Sequence, residues 1–570
     1  MRNLISLIIL VLFLLAASPS IKANNVVTKV VTKNEVTKEK VNILLIVADD
    51  LGFGDIGANG SEISTPNIDA LAASGSRFTN FYTQASCSPT RSMLLSGVDN
   101  HRNGMGTMSE DLLPHHKNLP GYRGYLNNEV VTVASLLQDV GYHTYMTGKW
   151  HLGYADNQSA HARGFQHTFS LVDGGGNHFN DQGMNAHKSK STYRRDGKVV
   201  NRPEGYSSDL FTKELKMLID ERKNDKNPFF AYLSFTAPHF PLQAPKKTID
   251  KYEGRYDLGW EVIREQRFKK MKAMGIIPSD AVLETASEEL TKWSSLSKEE
   301  QKNESKKMAI YAAMIDNLDT NIGVILQYLK DIGEYENTVI MFLSDNGPDP
   351  YDRSERNAYQ TLVSKFNYDM SYENMGASNS YSFLGPNWSQ TSNVNQQGYK
   401  FLPTQGGIHN PVIMRFPGML EEGNIMTEFS SILDITPTLL EIAGTTHPKT
   451  YYKGRKIYPL NGRSMLPYIS GIAKKVYSDD ETISFELFGH TSVFMGKWKA
   501  VKMRPPQGND KWALYNIKTD LSESHDLSGV YPKILHKLTH AYEKYKIDNG
   551  VLTEPEGVTA YPAKPHYVKY

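Results

Sequence analysis

Two pairs of polar residues, each placed after an apolar run, are the first groups in this chain whose types and spacing suit chemistry. Asp49 and Asp50 follow V-N-I-L-L-I-V-A, and Asp345 and Asn346 follow T-V-I-M-F-L-S. If both runs are strands of a parallel sheet, their carboxyl ends lie at the same edge and the four side chains meet there. Oxygen donors without a cysteine or histidine cluster suit a hard divalent cation, calcium before magnesium, rather than zinc. Either pair alone is explained equally well as turn or helix-capping residues.

The only cysteine, Cys87, lies in A-S-C-S-P-T-R-S-M-L-L-S-G (85–97). A single cysteine cannot form an internal disulfide, so Cys87 is either a small buried thiol, the commoner fate of a lone cysteine, or a chemical tool. Its neighbours Pro89 and Arg91 must help to decide between these two interpretations.

Basic and imidazole side chains supply further candidates. Lys149 and His151 lie in G-K-W-H-L-G, His239 lies in A-P-H-F-P, and Lys400 lies in Y-K-F-L-P. Without context, such residues are more often surface cations or hydrogen-bonded structural histidines. His178, in the glycine-rich segment D-G-G-G-N-H-F, has the weakest case, because glycines serve loop geometry as readily as recognition.

The elements that must position these residues alternate between strand and helix. Buried strands are predicted at residues 41–48, 228–235 and 338–347, and a further strand at 143–148. Helices are predicted at residues 65–75, 130–142 and 312–330. The alternation predicts the α/β class, with a large, mostly parallel or mixed central sheet flanked by helices and with ligands beyond the carboxyl ends of the strands.

The two ends of the chain have a different texture. From about residue 475, short alternating runs predict a smaller C-terminal domain, residues 475–570, made of a four-stranded antiparallel sheet and a helix at about 531–547. The main domain is then 41–474. Residues 1–23 have a basic start, an apolar run and a small-residue exit, which predicts a cleaved signal peptide and a periplasmic or secreted protein, and residues 24–40 are a polar leader.

The charge balance excludes one class of partner. The 570 residues include 63 Lys and Arg and 62 Asp and Glu, which gives a formal charge of +1. Bulk charge therefore offers no surface for nucleic acid, and any anion must be recognised locally. Beyond the N-terminal run, no apolar stretch approaches the length of a membrane span, so no stable membrane insertion is expected.

The segment C-S-P-T-R resembles the C-x-P-x-R signature of the type I sulfatases, the formylglycine-dependent sulfatases of the alkaline phosphatase superfamily. Further segments match that family's pattern in the same order: I-V-A-D-D-L-G, G-K-W-H-L-G, A-P-H-F-P, L-S-D-N-G, Y-K-F-L-P-T-Q-G-G-I and W-A-L-Y-N-I-K-T-D-L-S-E. The resemblance runs from about residue 41 to 530, and the insert 252–267 with G-P-N-W-S (385–389) looks most similar to bacterial arylsulfatases. It implies an alkaline phosphatase-like fold and the hydrolysis of a sulfate monoester to inorganic sulfate.

The resemblance also implies how the nucleophile arises. A formylglycine-generating enzyme would oxidise Cys87 to formylglycine, an aldehyde, during export. One calcium ion per chain would be held by Asp49, Asp50, the modified Cys87, Asp345 and Asn346. One hydroxyl of the hydrated aldehyde would attack sulfur. The second hydroxyl would allow release of the sulfate, which neither serine nor unmodified cysteine could do.

Five residues that match the family's motifs carry the remaining roles. Arg91 and Lys149 would orient the hydrate and neutralise the sulfate. His239, with Lys400 beside it, would protonate the leaving oxygen as general acid. His151 would take the proton from the second hydroxyl as general base.

Departures from the family pattern affect the substrate. The family often has E-G-G followed by a small residue and arginine, whereas this chain has Q-G-G-I-H-N-P, with Gln405 and His409. Gln405 removes a charge predicted to lie close to Lys400, where specificity is set. G-H-T-S-V-F-M (489–495) lacks the arginine expected two residues after the glycine. The substrate thus stays open between an aryl sulfate and, as the physiological alternative, a sulfated carbohydrate from polysaccharide degradation.

Two other functions also stay open. A phosphonate or phosphate ester hydrolase of the same superfamily can share the formylglycine and the fold. A catalytically inactive carbohydrate-binding protein could keep the fold without the chemistry, although the intact set of Cys87, Arg91, His151 and His239 argues against it.

Overall fold

The computed structural model describes residues 40–222, 225–284, 289–558 and 564–566. The predicted signal peptide 1–23 and all but the last residue of the predicted leader 24–40 lie outside these ranges. Within them, none of the helices combines the length and the apolar character that crossing a bilayer requires.

One large sheet of ten strands dominates the described residues. In spatial order its strands are Asn424–Met426, Ser76–Phe78, Val412–Arg415, Thr338–Ser344, Asn42–Ala48, Phe229–Ser234, His143–Lys149, His167–Leu171, Tyr193–Arg195 and Lys198–Val200. The five consecutive strands from Thr338–Ser344 to His167–Leu171 run parallel, and antiparallel strands adjoin them on both sides. The predicted mixed α/β sheet is confirmed. Three of its five central parallel strands were predicted from their apolar runs, and His143–Lys149 was predicted as a strand from H-T-Y-M-T-G.

The central strand Asn42–Ala48 shows why these runs carry no polar alternation. Ile43 and Val47 pack in a hydrophobic core on one face of the sheet, and Leu44 and Ile46 pack in a second core on the other face. Because successive side chains of a strand point to opposite faces, burial on both faces requires an apolar residue at every position.

Helices cover both faces of the sheet. The core on the side of Ile43 includes residues of helices Cys87–Ser96, Val133–Asp139 and Ile435–Ile442. The core on the side of Leu44 includes residues of helices Pro66–Ala73, Ser207–Glu221 and Lys298–Asp331. The other helices are Asn100–Asn103, Lys246–Ile249, Trp260–Ala273, Asn357–Phe366, Pro386–Asn393, Gln405–Ile408, Leu466–Ile469 and Pro532–Asn549.

The helix predicted at 312–330 is much longer than expected, because it begins at Lys298 and ends at Asp331. Its first turns are rich in charged residues and give little amphipathic signal. The start is marked instead by a capping box, in which Glu300 N donates to Ser297 Oγ at 3.2 Å and Ser297 N donates to Glu300 Oε2 at 2.7 Å. The segment S-K-E-E was therefore the signal that could have located this terminus.

The C-terminal part of the chain forms a second, four-stranded antiparallel sheet, as predicted. Its strands, in order, are Ile483–Leu487, His490–Met495, Trp498–Lys502 and Trp512–Asn516. Helix Pro532–Asn549 packs on one face through Leu538 and Tyr542. Phe485 and Phe494 on the sheet belong to the same core as the central sheet. The boundary at 474/475 stays a prediction, because apolar packing continues across it.

Three two-stranded pairs complete the strand inventory of the described residues. They are Phe81–Tyr82 with Ser430–Ser431, Tyr451–Tyr452 with Arg455–Lys456, and Gln182–Asn185 with Lys188–Lys190.

Candidate active site

Four polar residues meet at the carboxyl ends of two adjacent parallel strands. Asp49 and Asp345 each follow directly on a strand, and the strands are paired in register up to that point. Asn346 Nδ2 donates to Asp50 Oδ1 at 2.6 Å, and Asp50 N donates to Asp345 Oδ1 at 3.3 Å. All four side chains are buried. The structure thus brings the two pairs together at one sheet edge.

The backbone at Asp50 is held in an unusual conformation. Its φ is 66°, in the left-handed region that non-glycine residues rarely adopt. The Tyr311 hydroxyl oxygen lies within hydrogen-bond distance of two acceptors, the Asp50 carbonyl at 3.1 Å and Asp55 Oδ2 at 2.8 Å. Arg267 in turn donates to Asp55 Oδ1 at 2.6 Å. Such a conformation persists only where the surroundings fix it, and this buried network does so.

Arg91 is anchored from several sides. Its Nε donates to Asp345 Oδ2 at 2.8 Å. Its Nη1 donates to Ser234 Oγ, to the Lys149 carbonyl at 3.3 Å and to the Tyr232 hydroxyl at 3.3 Å. A lysine lacks the planar fork that makes these contacts together, so the arginine is specifically required here.

Two lysines neutralise the other carboxylates. Lys149 Nζ donates to Asp49 Oδ2 at 2.6 Å, and Lys400 Nζ donates to Asp50 Oδ1 at 2.7 Å. Burial by itself would raise the pKa of Asp49, but Lys149 and the neighbouring cations hold it below its ordinary range. The pKa of Asp50 is raised to about 7, because burial and the adjacent carboxylates outweigh Lys400. Together with the Arg91 pair, three cations face three carboxylates.

Some oxygens of this cluster have no hydrogen-bond partner. They are Asp49 Oδ1, Asp50 Oδ2 and Asn346 Oδ1, and all three are buried. A buried oxygen without a donor is costly, and three in one place are unusual. Carboxylate and amide oxygens are also the donors that hard divalent cations prefer. The donor set therefore fits a calcium ion. Asp345 is more fully engaged, since its two oxygens accept from Arg91 and from Asp50 N.

Cys87 is the first residue of helix Cys87–Ser96 and is buried beside this cluster. Its Sγ and single ligand atoms of Asp49, Asp50 and His239 all lie within 4.8 Å of one another. Burial raises the pKa of the thiol to about 12, although two nearby lysines act in the opposite direction. Since the thiolate is the nucleophilic form, an unmodified Cys87 would be a weak nucleophile at neutral pH.

His239 lies on the loop after strand Phe229–Ser234. Its Nδ1 lies 2.7 Å from the Phe240 carbonyl, so Nδ1–H donates and Nε2 carries the lone pair. Nε2 lies 3.6 Å from Asp50 Oδ2. Burial lowers the pKa of His239 well below its ordinary value, and the nearby lysines act in the same direction. His239 is therefore neutral at pH 7 in this site.

His151 lies just beyond strand His143–Lys149, with a left-handed φ of 54°. The ring needs a glycine opposite it, because a Cβ at Gly174 would lie 2.6 Å from its Cε1. Its Nε2 is 3.3 Å from both carboxylate oxygens of Glu110, and the Tyr154 hydroxyl donates to Glu110 Oε1 at 2.8 Å. Its Nδ1 is buried without a hydrogen-bond partner among the described residues.

Glu110 is a functional candidate that the sequence analysis missed. It lies in the turn Ser109–Asp111, in a stretch without a recognisable motif, 41 residues before His151. Nothing in the spacing of the sequence connects the two side chains, so only the folded chain shows their contact.

The site opens into a cavity of about 720 Å³. Cys87, His151, His239 and Lys400 contribute to its lining. Aromatic residues and charged pairs also line it. The aromatic residues include Phe240, Tyr359, Tyr381, Phe383 and Phe401. Among the charged residues, Lys188 pairs with Asp173, and Arg353 pairs with Asp349 at 2.9 Å.

His178 supports the site without lining the cavity. Its Nε2 lies 3.0 Å from the His239 carbonyl, and its Nδ1 lies 2.8 Å from Ser207 Oγ. Burial lowers its pKa to about 4, so the ring is neutral. The geometry favours the structural interpretation of His178 over a place in the substrate pocket.

The expectation that Gln405 and His409 lie where specificity is set is wrong. Neither residue lines the cavity among its described walls. Gln405 Nε2 donates to the Tyr82 hydroxyl at 3.3 Å, its backbone N donates to Glu523 Oε2 at 2.8 Å, and His409 packs against aromatic rings. Strand His490–Met495, which lacks the expected arginine, is also absent from the described lining. The cause is the short helix that begins at Gln405, which leads the chain from the cavity into the core.

Comparisons with known proteins agree with this arrangement. A family model described as sulfatase matches residues 41–445, and one described as N-sulphoglucosamine sulphohydrolase, C-terminal, matches residues 400–547. An uncharacterised sulfatase of Schizosaccharomyces pombe is 40% identical over 538 residues, which are 92% of this chain and 96% of that protein. An arylsulfatase of Klebsiella aerogenes is 38% identical over 438 residues, 75% of this chain and 92% of that protein.

A solved structure has a similar fold over most of this chain. The crystal structure of Ps i-CgsB in complex with k-i-k-neocarrahexaose is 26% identical and has a TM-score of 0.64, with 90% of this chain and 93% of that chain covered. The resemblance seen in C-S-P-T-R and the accompanying segments is therefore confirmed by independent matches over most of the chain. With the sulfatase model matching well over half of its length, the chain belongs to the sulfatase family.

Proposed function

We propose that this protein hydrolyses sulfate monoesters at the Cys87 site, with Cys87 converted to formylglycine and with one calcium ion bound. The observation that carries the proposal is the set of unpaired, buried oxygens of Asp49, Asp50 and Asn346 next to Cys87. A protein that only bound carbohydrate would have no need for such costly groups in its interior.

The cation would be held by the oxygens of Asp49, Asp50 and Asn346, with Asp345 and the modified residue 87 completing the set. When bound, calcium would supply a Lewis acid that polarises a sulfate oxygen. The charged side chains around the site balance one another, so two added positive charges leave it net positive. A net positive, buried site favours the binding of an anionic ester.

The conversion of Cys87 is supported by its surroundings and by the C-S-P-T-R motif. The thiol has a pKa of about 12 and cannot itself serve as a good nucleophile. When formed, the hydrated aldehyde would supply one hydroxyl to attack sulfur and a second to release the sulfate. A formylglycine-generating enzyme is therefore the partner that maturation requires.

The remaining side chains bind the ester and handle protons. Arg91 and Lys149 are fixed by Asp345 and Asp49, so their positive charge needs no rearrangement when the ester binds. Asp50 and other acidic groups hold the pKa of Lys400 well above its ordinary value despite burial. Lys400 is thus the protonated group in the free site.

The proposed role of His239 as general acid depends on whether an ester is bound. It is neutral in the free site, so it becomes a general acid only when a bound anionic ester favours its protonated form. His151 would accept the proton of the second hydroxyl, while the C–O bond to sulfate breaks and the aldehyde is restored.

We propose a sulfated carbohydrate as the physiological substrate, within polysaccharide degradation. The similar crystal structure contains neocarrahexaose, and a cavity of about 720 Å³ leaves room for a sugar residue beyond the sulfate. Export through residues 1–23 would bring the enzyme to such a substrate, and N-terminal sequencing of the mature protein would test this.

Mass spectrometry of the tryptic peptide 78–91 tests the nucleophile directly. In protein from the native host, an aldehyde group should replace the thiol-bearing side chain of residue 87. The peptide should therefore have a lower mass than the unmodified cysteine form. Cys87→Ala and Cys87→Ser should abolish turnover of an aryl sulfate while their melting temperatures stay close to that of the wild type. An unmodified cysteine in active protein would contradict the proposal.

Rates on matched esters test the reaction class. We expect the wild type to hydrolyse an aryl sulfate faster than the corresponding aryl phosphonate. Faster turnover of the phosphonate would assign the protein to the phosphonate hydrolases of the same superfamily instead.

A further inference from the structure

His151 has an asymmetric environment that the family motif does not explain. Its Nε2 is 3.3 Å from each carboxylate oxygen of Glu110. Its Nδ1 is buried and has no hydrogen-bond partner among the described residues. Nε2 thus faces an anion, whereas Nδ1 has no hydrogen-bond partner among the described residues. The proposed reaction needs a proton acceptor in this site.

This asymmetry selects one form of the ring. A neutral imidazole carries its proton on either Nδ1 or Nε2, and a carboxylate beside one nitrogen favours the proton there. Glu110 therefore favours the form with Nε2–H, in which Nδ1 holds the lone pair. The opposite form would direct a lone pair at the carboxylate and leave a buried N–H at Nδ1 without an acceptor.

We propose that Glu110 is a positioning residue that orients His151 and fixes its tautomer, so that Nδ1 accepts the proton in the proposed reaction. The inference rests on the proposed function, in which His151 is the base. The proton moves from a hydroxyl oxygen to His151 Nδ1, while Nε2–H stays hydrogen-bonded to Glu110. As His151 becomes cationic, the carboxylate stabilises the charge without taking the proton itself.

Glu110 is suited to this role by its own contacts. The Tyr154 hydroxyl donates to its Oε1 at 2.8 Å. The Glu110 side chain is 44% exposed, so its carboxylate is ionised at neutral pH. An ionised carboxylate can only accept hydrogen bonds, which is what the tautomer argument requires.

The turn that carries Glu110 is braced by the C-terminal tail. His115 Nε2 and His116 Nε2 each lie 2.6 Å from a carboxylate oxygen of Glu554. Nearby, Leu552 N donates to the Tyr122 hydroxyl at 2.9 Å. These contacts tie the segment that follows the turn to a part of the chain distant in sequence.

Kinetics distinguish positioning from substrate binding, since Glu110 also lines the cavity. For Glu110→Gln we expect kcat on an aryl sulfate to fall about 10- to 100-fold, a part of what a general base contributes, while KM changes by less than about threefold. Asp111→Asn removes a charge from the same turn and the same cavity, and it should show a much smaller loss of kcat. A rise in KM with kcat unchanged in Glu110→Gln would show that Glu110 binds substrate and would overturn the proposal.

Chemical rescue separates a lost carboxylate from a distorted fold. Formate should restore part of the kcat of Glu110→Ala, because it can occupy the vacated space and accept from Nε2–H. It should not restore Cys87→Ala. Absence of rescue in a variant with a wild-type melting temperature would contradict the role assigned to the carboxylate.

A measurement without turnover keeps this inference separable from the proposed function. Nitrogen-15 NMR of protein with labelled histidine reports the tautomer of each ring, and His151→Gln identifies the His151 signals among the 17 histidines. We expect Nε2–H in the wild type and a mixture of tautomers in Glu110→Gln. If the wild type has Nδ1–H, the inference fails even if the protein is an active sulfatase; if the tautomer is as expected but no sulfate ester is hydrolysed, the proposed function fails instead.

Discussion

At the residue scale, the site is defined by polar atoms that the protein alone leaves unsatisfied. Lys149 and Lys400 each bind one oxygen of Asp49 and Asp50, and the second oxygen of each carboxylate has no hydrogen-bond donor. Folding the chain into this state costs free energy, because buried polar atoms lose their water without a replacement. A bound cation would recover that loss, so the stability of the fold should depend on it.

Calcium should therefore raise the melting temperature relative to protein treated with EGTA. Saturation at about 100 times the dissociation constant adds about 2.7 kcal/mol to the free energy of unfolding. Asp49→Asn should remove most of this response. Asp319→Asn is the matched control, since Asp319 is a buried carboxylate that accepts from the backbone N–H groups of Asn67 and Ile68. Equal melting temperatures of the wild type in calcium and in EGTA would contradict the cation site.

At the element scale, one helix that overlaps the insert 252–267 supports the site through buried hydrogen bonds. Helix Trp260–Ala273 carries Arg267, whose guanidinium is buried. Arg267 binds Asp55 at 2.6 Å and Glu62 at 2.8 Å from both Nε and Nη2. Through Asp55 and Tyr311 the helix reaches the carbonyl of Asp50.

Arg267→Leu should lower the free energy of unfolding by about 3–5 kcal/mol, because it leaves two buried carboxylates without their cation. Lys269→Leu, on the same helix, removes only an exposed pair with Glu265 and should cost less than about 1 kcal/mol. Urea unfolding of both variants gives the comparison. Equal losses in the two variants would show that the buried network does not contribute as argued.

At the scale of the whole molecule, a buried ionic cluster joins the C-terminal sheet and helix to the short helix Asn100–Asn103. His101 lies 2.6 Å from Glu486 of strand Ile483–Leu487 and 3.0 Å from Asp99. The Tyr545 hydroxyl of the last helix donates to Asp99 at 2.7 Å. Burial opposes protonation, but the two carboxylates raise the pKa of His101 to about 10. The imidazolium is thus the form that joins these parts at neutral pH.

This cluster predicts a stability that declines in alkali. His101 has a folded pKa above its ordinary value, so its contribution is complete below about pH 6.5 and is lost as pH rises through about 10, by at most about 1.4 kcal/mol per pH unit. Melting temperatures between pH 6 and 10 should fall less steeply in His101→Gln than in the wild type. His540→Gln, an exposed histidine of the last helix, should keep the wild-type slope. An unchanged slope in His101→Gln would contradict the assignment.

The sequence by itself determined the elements and most of the motif residues. Continuous apolar runs identified three of the five central parallel strands, because strands buried on both faces admit no polar alternation. The polar pairs at their ends predicted Asp49, Asp50, Asp345 and Asn346 at one edge, since parallel strands place their carboxyl ends together. Even so, the apolar periodicity did not predict the first part of helix Lys298–Asp331, residues 298–311, which is rich in charged residues.

Only the tertiary structure decided which side chains touch. It showed that Glu110 contacts His151 and that Arg267 binds Asp55 near Asp50. It also showed that Gln405 and His409 are not among the described residues that line the cavity. It further showed that His239 is buried, which lowers its pKa and which no motif could reveal. These properties depend on distances and on exclusion of water between residues far apart in the chain, and local sequence patterns carry neither.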